Sequence, residues 1–175
     1  AVLSHKHDVD LTYITPRGHW YQHSWKGDVA KSGGLATNIG IHFFDMLSWC
    51  FGKPVSNLVH VSGPRKASGF LELENARVRW YLSIDASDLP ASPQLTRAQT
   101  FRSLKINSRE IEFSNGFGDL HTDSYRQIMG GLGFSLEEAR QSIEIVHHIR
   151  HAEPLGAHGD YHPLAAKLAP DGTIS

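Results

Sequence analysis

One cysteine, Cys50, in 175 residues means that no disulfide can close within the chain, and no cysteine pair is there to hold a metal. Neither charge is in surplus: 17 lysines and arginines stand against 18 aspartates and glutamates, for a formal net charge of −1. The basic residues also form no run, so the electrostatic footprint of a nucleic-acid binder is missing. No apolar stretch reaches the ~18–20 residues that span a bilayer, and no secretory leader pattern opens the chain. A reducing, cytoplasmic setting without membrane contact is the expectation. Catalytic signatures are equally scarce. G-x-S-x-G, the phosphate loop and H-E-x-x-H are all absent, and "GFGDLH" has His121 where G-x-G-x-x-G requires its third glycine. The chain therefore carries no dinucleotide fingerprint.

What is present reads as one globular domain over residues 1–175, with 40% hydrophobic and 20% charged residues. The opening "AVLSHKHDVDLTYIT" runs almost directly into a strand over residues 8–15, which suggests a piece of something longer. A long aromatic and basic loop follows, and then a helix over 36–51 with Ile39, Phe43, Met46, Leu47 and Cys50 on its apolar stripe. On that stripe Cys50 is expected to be core. Strands dominate from 55 to 115. "FLELENARVRWYL" predicts a hairpin turning at Asn75-Ala76, with Glu74 facing Arg77, Glu72 facing Arg79, Leu73 facing Val78 and Leu71 facing Trp80. A loop over 90–99, a second hairpin around Asn107-Ser108 with Ile111 and Phe113 on one side, and a turn at "NGFGDL" come next. Helices over 122–130 and 136–152 close the domain, the second behind a Ser135/Glu138 capping box, with an extended tail after Pro154. The expected class is α+β: an open, mainly antiparallel sheet with helices on one face.

Within the 36–51 helix, Asn38, His42 and Asp45 are spaced four and three residues apart and so share one face. They can be the polar flank of an amphipathic helix. Alternatively, with Gly33-Gly34 letting a ligand approach, a His42 near the helix start and its dipole can take or share a hydroxyl proton that Asn38 orients. A metal site built on His42 and Asp45 lacks a third ligand, and His5/His7 and His147/His148 are weaker pairs. The loop "PRGHWYQHSWKGD" offers Arg17, His19, Trp20, Tyr21, Trp25 and Lys26, a mixture suited either to an anionic ligand bearing a ring or to covering the sheet. His121 and Tyr125, four apart at a helix start, can meet an anion, or Thr122 or Asp123 can simply cap that helix.

"GGLATNIGIHFFDMLSWCFG" resembles the G-G-x-x-x-D-x-G-x-H-x-x-D signature in the C-terminal domain of the glucose–fructose oxidoreductase/inositol dehydrogenase family. "TYITPRGHWYQHSWKGD", "LHTDSYRQIMGGLGFSLEEAR" and "DYHPLA" place it nearest the branch that oxidises C3 of UDP-N-acetylglucosaminuronic acid in lipopolysaccharide and O-antigen sugar synthesis. The resemblance implies that an N-terminal Rossmann domain, absent here, binds NAD and supplies a general-base lysine, and that no metal is used. It implies that His42 sits beside the oxidised hydroxyl with Asn38, which stands where many relatives have aspartate and so offers a hydrogen bond but no charge. Arg17, Trp20, Trp25, Lys26, Thr37, His121 and Tyr125 become the expected substrate contacts, Asp45 a structural support, and a homotetramer the expected assembly. Two other readings remain: a non-catalytic sugar-nucleotide-binding or oligomerisation module, and another sugar or polyol dehydrogenase of the same family.

Overall fold

The computed structural model describes residues 5–91, 100–112 and 120–167. Most of the expected 90–99 loop, Phe113 and all but the last residue of the "NGFGDL" turn lie outside them. Six strands, β1 (His7–Ile14), β2 (Pro54–Ser62), β3 (Lys66–Leu73), β4 (Ala76–Ser83), β5 (Phe101–Ile106) and β6 (Arg109–Glu112), form one sheet in the order β2-β3-β4-β1-β5-β6. All neighbours are antiparallel except β1 and β4, so the sheet is mixed, with a parallel pair at its centre. Two single-turn helices, α1 (Trp20–His23) and α2 (Val29–Ser32), lead into a π-helical turn at Ala36–Gly40 and then α3 (Ile41–Phe51). Helices α4 (Leu120–Met129) and α5 (Leu136–His151) follow the sheet, and α5 starts on the predicted reciprocal Ser135/Glu138 cap.

The α3 helix and α5 pack on one face of the sheet. Phe43, Phe44 and Leu47 of α3 and Ile145, Val146 and Ile149 of α5 meet Val9, Leu11, Leu71, Val78 and Trp80 in a single core. The buried arc of α3 is turned one residue further than the apolar pattern predicts. Phe44, fully buried, stands edge-on to Trp80 with ring centroids 5.5 Å apart and draws the helix round. Cys50 then falls on the rim and is exposed, which corrects its expected place in the core. The hairpin prediction is also corrected. Its turn is Glu74-Asn75, because Ala76 is fully buried and belongs to β4, while the Glu74 carboxylate accepts from the Lys53 amide. Glu72 thus opposes Arg77, Leu71 opposes Val78, and Gly69 opposes Trp80. A slip of two residues keeps every side chain on its predicted face, since the strand period is two. At the second hairpin Asn107 and Ser108 both have positive φ, 48° and 70°, the conformation of a two-residue turn that matches the strand twist.

The other face of the sheet is charged, and most of its charges are paired. Asp8 accepts from Arg77 and Asp10 from Arg79 across the parallel β1–β4 pair, and Lys6 donates to Glu72. The segment after α5 crosses this face. Leu155 and Gly156 donate to the carbonyls of Val59 and His60, and Arg79 also meets Asp160. His162 stacks on Tyr81 at 5.5 Å, accepts the Leu164 amide at Nδ1, and meets the Thr12 hydroxyl at 3.0 Å through Nε2. That arrangement makes it a neutral imidazole carrying its proton on Nε2.

Two stability predictions follow from these contacts. A Cβ on Gly69 would overlap the Leu58 carbonyl oxygen and the Trp80 ring. Gly69→Ala is therefore expected to destabilise by about 1–3 kcal/mol, read as a lower thermal midpoint; an unchanged midpoint would remove this contact from the core. For His162, burial first and the Arg79 charge second hold the imidazole down to about 3. Its contribution to stability is complete above the unfolded histidine value of about 6.5 and is lost as pH falls toward 3, because the unfolded chain binds the extra proton. Urea titrations across that window should show a shallower loss of stability for His162→Gln than for the parent chain.

Candidate functional site

A cleft of about 680 Å³ opens at the end of β1 where α3 begins. The π turn at Ala36–Gly40 and α3 set one wall. Because α3 turns Phe44 and Leu47 into the core, the opposite band of the helix, with His42, Asp45 and Trp49, looks outward. Asn38 and His42 line the cleft, but Asp45 does not; it lies in a separate groove with Trp49 beside the start of α5. The predicted polar line is therefore divided between two places. The Asn38 amide donates to the Tyr21 hydroxyl at 2.9 Å and lies 3.5 Å from the Lys26 carbonyl, which fixes its orientation. His42 is exposed and has no hydrogen-bond partner among the described residues. It stands more than a turn inside the continuous helical run, so the end-of-helix field falls mainly on residues 35–37 instead. Single π turns of this kind occur often at functional sites, where they re-aim side chains.

The basic loop forms a second wall. Arg17, Tyr21 and Lys26 line the cleft, and burial raises the Tyr21 phenol against the opposing pull of the Arg17 charge and the Asn38 hydrogen bond. Trp20 and Trp25 do not line it. They are exposed and flank Lys26, whose Nζ lies 6.0 and 5.8 Å from their rings, at the outer range of a cation–π contact. Thr37 is turned away: its hydroxyl donates to the Gly33 carbonyl at 3.0 Å and fills the space over that left-handed glycine. From α4, His121 and Thr122 reach the rim, while Tyr125, one turn on, does not.

One lining residue escaped the sequence prediction. Arg102 on β5 pairs across from Tyr13 on β1, and its guanidinium lies 5.4 Å from the Tyr13 ring. Tyr13 in turn packs on Phe43 at 4.6 Å. A readable signal existed, because Arg102 shares strand parity with Leu104 and Ile106 and so belongs to the helix-facing side. An arginine among inward positions marks a cavity rather than a core. The cleft thus gathers three fixed cations, Arg17, Lys26 and Arg102, and none of the described residues lining it is acidic. In a chain of net charge −1, that is a local positive field suited to an anion.

On the opposite face a cavity of about 550 Å³ has its carboxylates engaged: Asp10 by Arg79, Asp88 by Lys66, Tyr81 and Ser83, and Glu110 by Ser103. Among the described residues no group of three or more His, Cys, Asp or Glu side chains could hold a metal ion, and no helix is long and apolar enough to cross a membrane.

Residues 5–94 match the family model described as "Oxidoreductase family, C-terminal alpha/beta domain". The structure of the WlbA (WbpB) dehydrogenase from Thermus thermophilus in complex with NAD and UDP-GlcNAcA is similar at 49% identity and a TM-score of 0.84, over 91% of this chain and 52% of that one. The same enzyme with NAD and alpha-ketoglutarate gives a TM-score of 0.85 at 49% identity over the same shares. The WlbA dehydrogenase from Bordetella pertussis, in complex with NADH and UDP-GlcNAcA, shares the fold at 17% identity and a TM-score of 0.51, over 78% of this chain and 48% of that one. The chain thus spans about half the length of these proteins.

Proposed function

We propose, starting from the fact that this chain belongs to the oxidoreductase family as its C-terminal alpha/beta domain, that it is the substrate side of an NAD-dependent sugar-nucleotide dehydrogenase. The substrate is UDP-N-acetylglucosaminuronic acid, oxidised at C3. The observation that carries this reading is the cluster of Arg17, Lys26 and Arg102 around Asn38 and His42, with no acidic side chain among the described lining residues. A sugar nucleotide with a uronate brings a diphosphate and a carboxylate to such a cleft, and the two ligands found beside NAD in the Thermus relative, UDP-GlcNAcA and alpha-ketoglutarate, carry carboxylates.

No G-x-G-x-x-G turn joins a strand to a helix in this chain, so the seat of NAD belongs to an N-terminal dinucleotide-binding half. NAD, held by that half, would supply the hydride acceptor for C3. The residues of this chain hold the sugar. Asn38, fixed by Tyr21, orients the C3 hydroxyl, and an imidazole nitrogen of His42 accepts or shares its proton with a lysine from the other half. The cations neutralise the diphosphate and carboxylate and keep the ring in register. Exposed Ile128, Met129, Phe134 and Leu136 on and after α4 give that other half an apolar surface on which to close the cleft. The charged sheet face is the surface we assign to a homotetramer, in a pathway of lipopolysaccharide sugar synthesis.

In the full-length enzyme, His42→Ala should lower kcat for UDP-GlcNAcA by roughly 10²–10⁴-fold, followed as NADH formation, with the thermal midpoint little changed. A lowered midpoint with unchanged specific activity would make His42 a surface residue of the helix only. Arg17→Ala should raise KM by roughly tenfold or more with kcat nearly preserved, as loss of a charge-assisted contact made equally in ground and transition states. An unaltered KM would remove Arg17 from the substrate.

A further inference from the structure

The three cations of the cleft are held in different ways, and the difference assigns them to different anions. Lys26 is a point charge on a loop, flanked by two exposed indoles that can take a flat ring. An ammonium between aromatics suits a diphosphate next to a base. Arg17 follows Pro16 just beyond the end of β1 and acts on the Tyr21 phenol, beside the hydroxyl-orienting Asn38. Arg102 differs from both. It grows from β5, the last strand but one of the sheet, its backbone is paired to β1, and its guanidinium rests against the Tyr13 ring, which is itself packed on Phe43 next to His42. A planar fork held against an aromatic face has already lost much of its rotamer freedom, so it loses less on binding than a free side chain does. Rigid planar forks select planar two-oxygen groups.

We propose that Arg102 is the residue that reads the C6 carboxylate of the sugar and so sets the preference of the cleft for uronates over neutral hexoses. This rests on the reading of the cleft as a sugar-nucleotide site. In a pyranose the C6 substituent lies on the same ring as C3, so its reader must stand in the same cleft as His42. The Arg102–Tyr13–Phe43 stack places the guanidinium there without relying on a loop. Arg102 takes no part in proton or hydride movement; it fixes which sugars are held with C3 at His42.

The test is a binding titration of the full-length protein with NAD present, using UDP-GlcNAcA and its C6-alcohol counterpart UDP-GlcNAc as paired probes. For Arg102→Gln, affinity for UDP-GlcNAcA should fall roughly tenfold or more while that for UDP-GlcNAc changes less than about twofold, since only the uronate loses a charge-assisted contact. Arg102→Lys should recover part of the discrimination by restoring charge without the fork. Equal losses for both probes, or none for either, would overturn the assignment. A circular-dichroism melt of each variant checks folding, and should Arg102→Gln fail to fold, the same comparison on Arg102→Lys decides the question. The titration is independent of turnover. A parent protein that binds the uronate but forms no NADH refutes the dehydrogenase reading and leaves Arg102 tested, whereas a parent that binds neither probe refutes the substrate class and this proposal with it.

Discussion

Trp80 lies over Gly69, and the position of this one indole governs the rest of the domain. The ring occupies the volume that any side chain on β3 would need at that point. It is fully buried, and it presents a flat surface to which Phe44 stands edge-on. Phe44 thereby sets the rotation of α3, and the rotation of α3 decides which residues look outward. Had the helix kept the stripe suggested by its apolar residues, Cys50 would be covered and Phe44 partly bare. The outward band with His42 on it is thus a consequence of packing on the far side of the same helix. The π turn before it completes the aim by bringing Asn38 within reach of Tyr21.

Electrostatics divides the molecule in two. On the open sheet face, ions of opposite sign stand directly across from each other, as in Asp8 with Arg77 and Asp10 with Arg79. Such pairs cancel locally and cast little field into solvent. The cleft on the helix side does the opposite, collecting cations without carboxylates among its described lining. A chain that is nearly neutral overall can therefore present a locally positive site, because none of the described residues lining the cleft is acidic.

Much of this was legible in the sequence, for reasons that can be given residue by residue. The sharing of a face by Asn38 and His42 follows from helical spacing, and the Ser135/Glu138 cap from a local motif. The faces of β3 and β4 came from strand alternation and survived a wrong turn, since a slip of two preserves parity. What periodicity could not supply was long-range: that Arg102 stands opposite Tyr13, 89 residues earlier in the chain, and that the parallel pairing of β1 with β4 centres the sheet. The separation of Asp45 from His42 was also out of reach. Both lie on the outward band, and only the placement of α5 shows that the band serves two neighbourhoods.

The segment after α5 also bears on the order of assembly. His162 touches Thr12 of β1 and Tyr81 of β4, residues far apart in the chain that become neighbours only once the two strands lie side by side. Its seat does not exist until that parallel pairing, the slowest kind to form because a long crossover must close first, has been made. The seat of His162 is therefore completed only by that pairing. Locking it down registers that the centre of the sheet has been correctly joined.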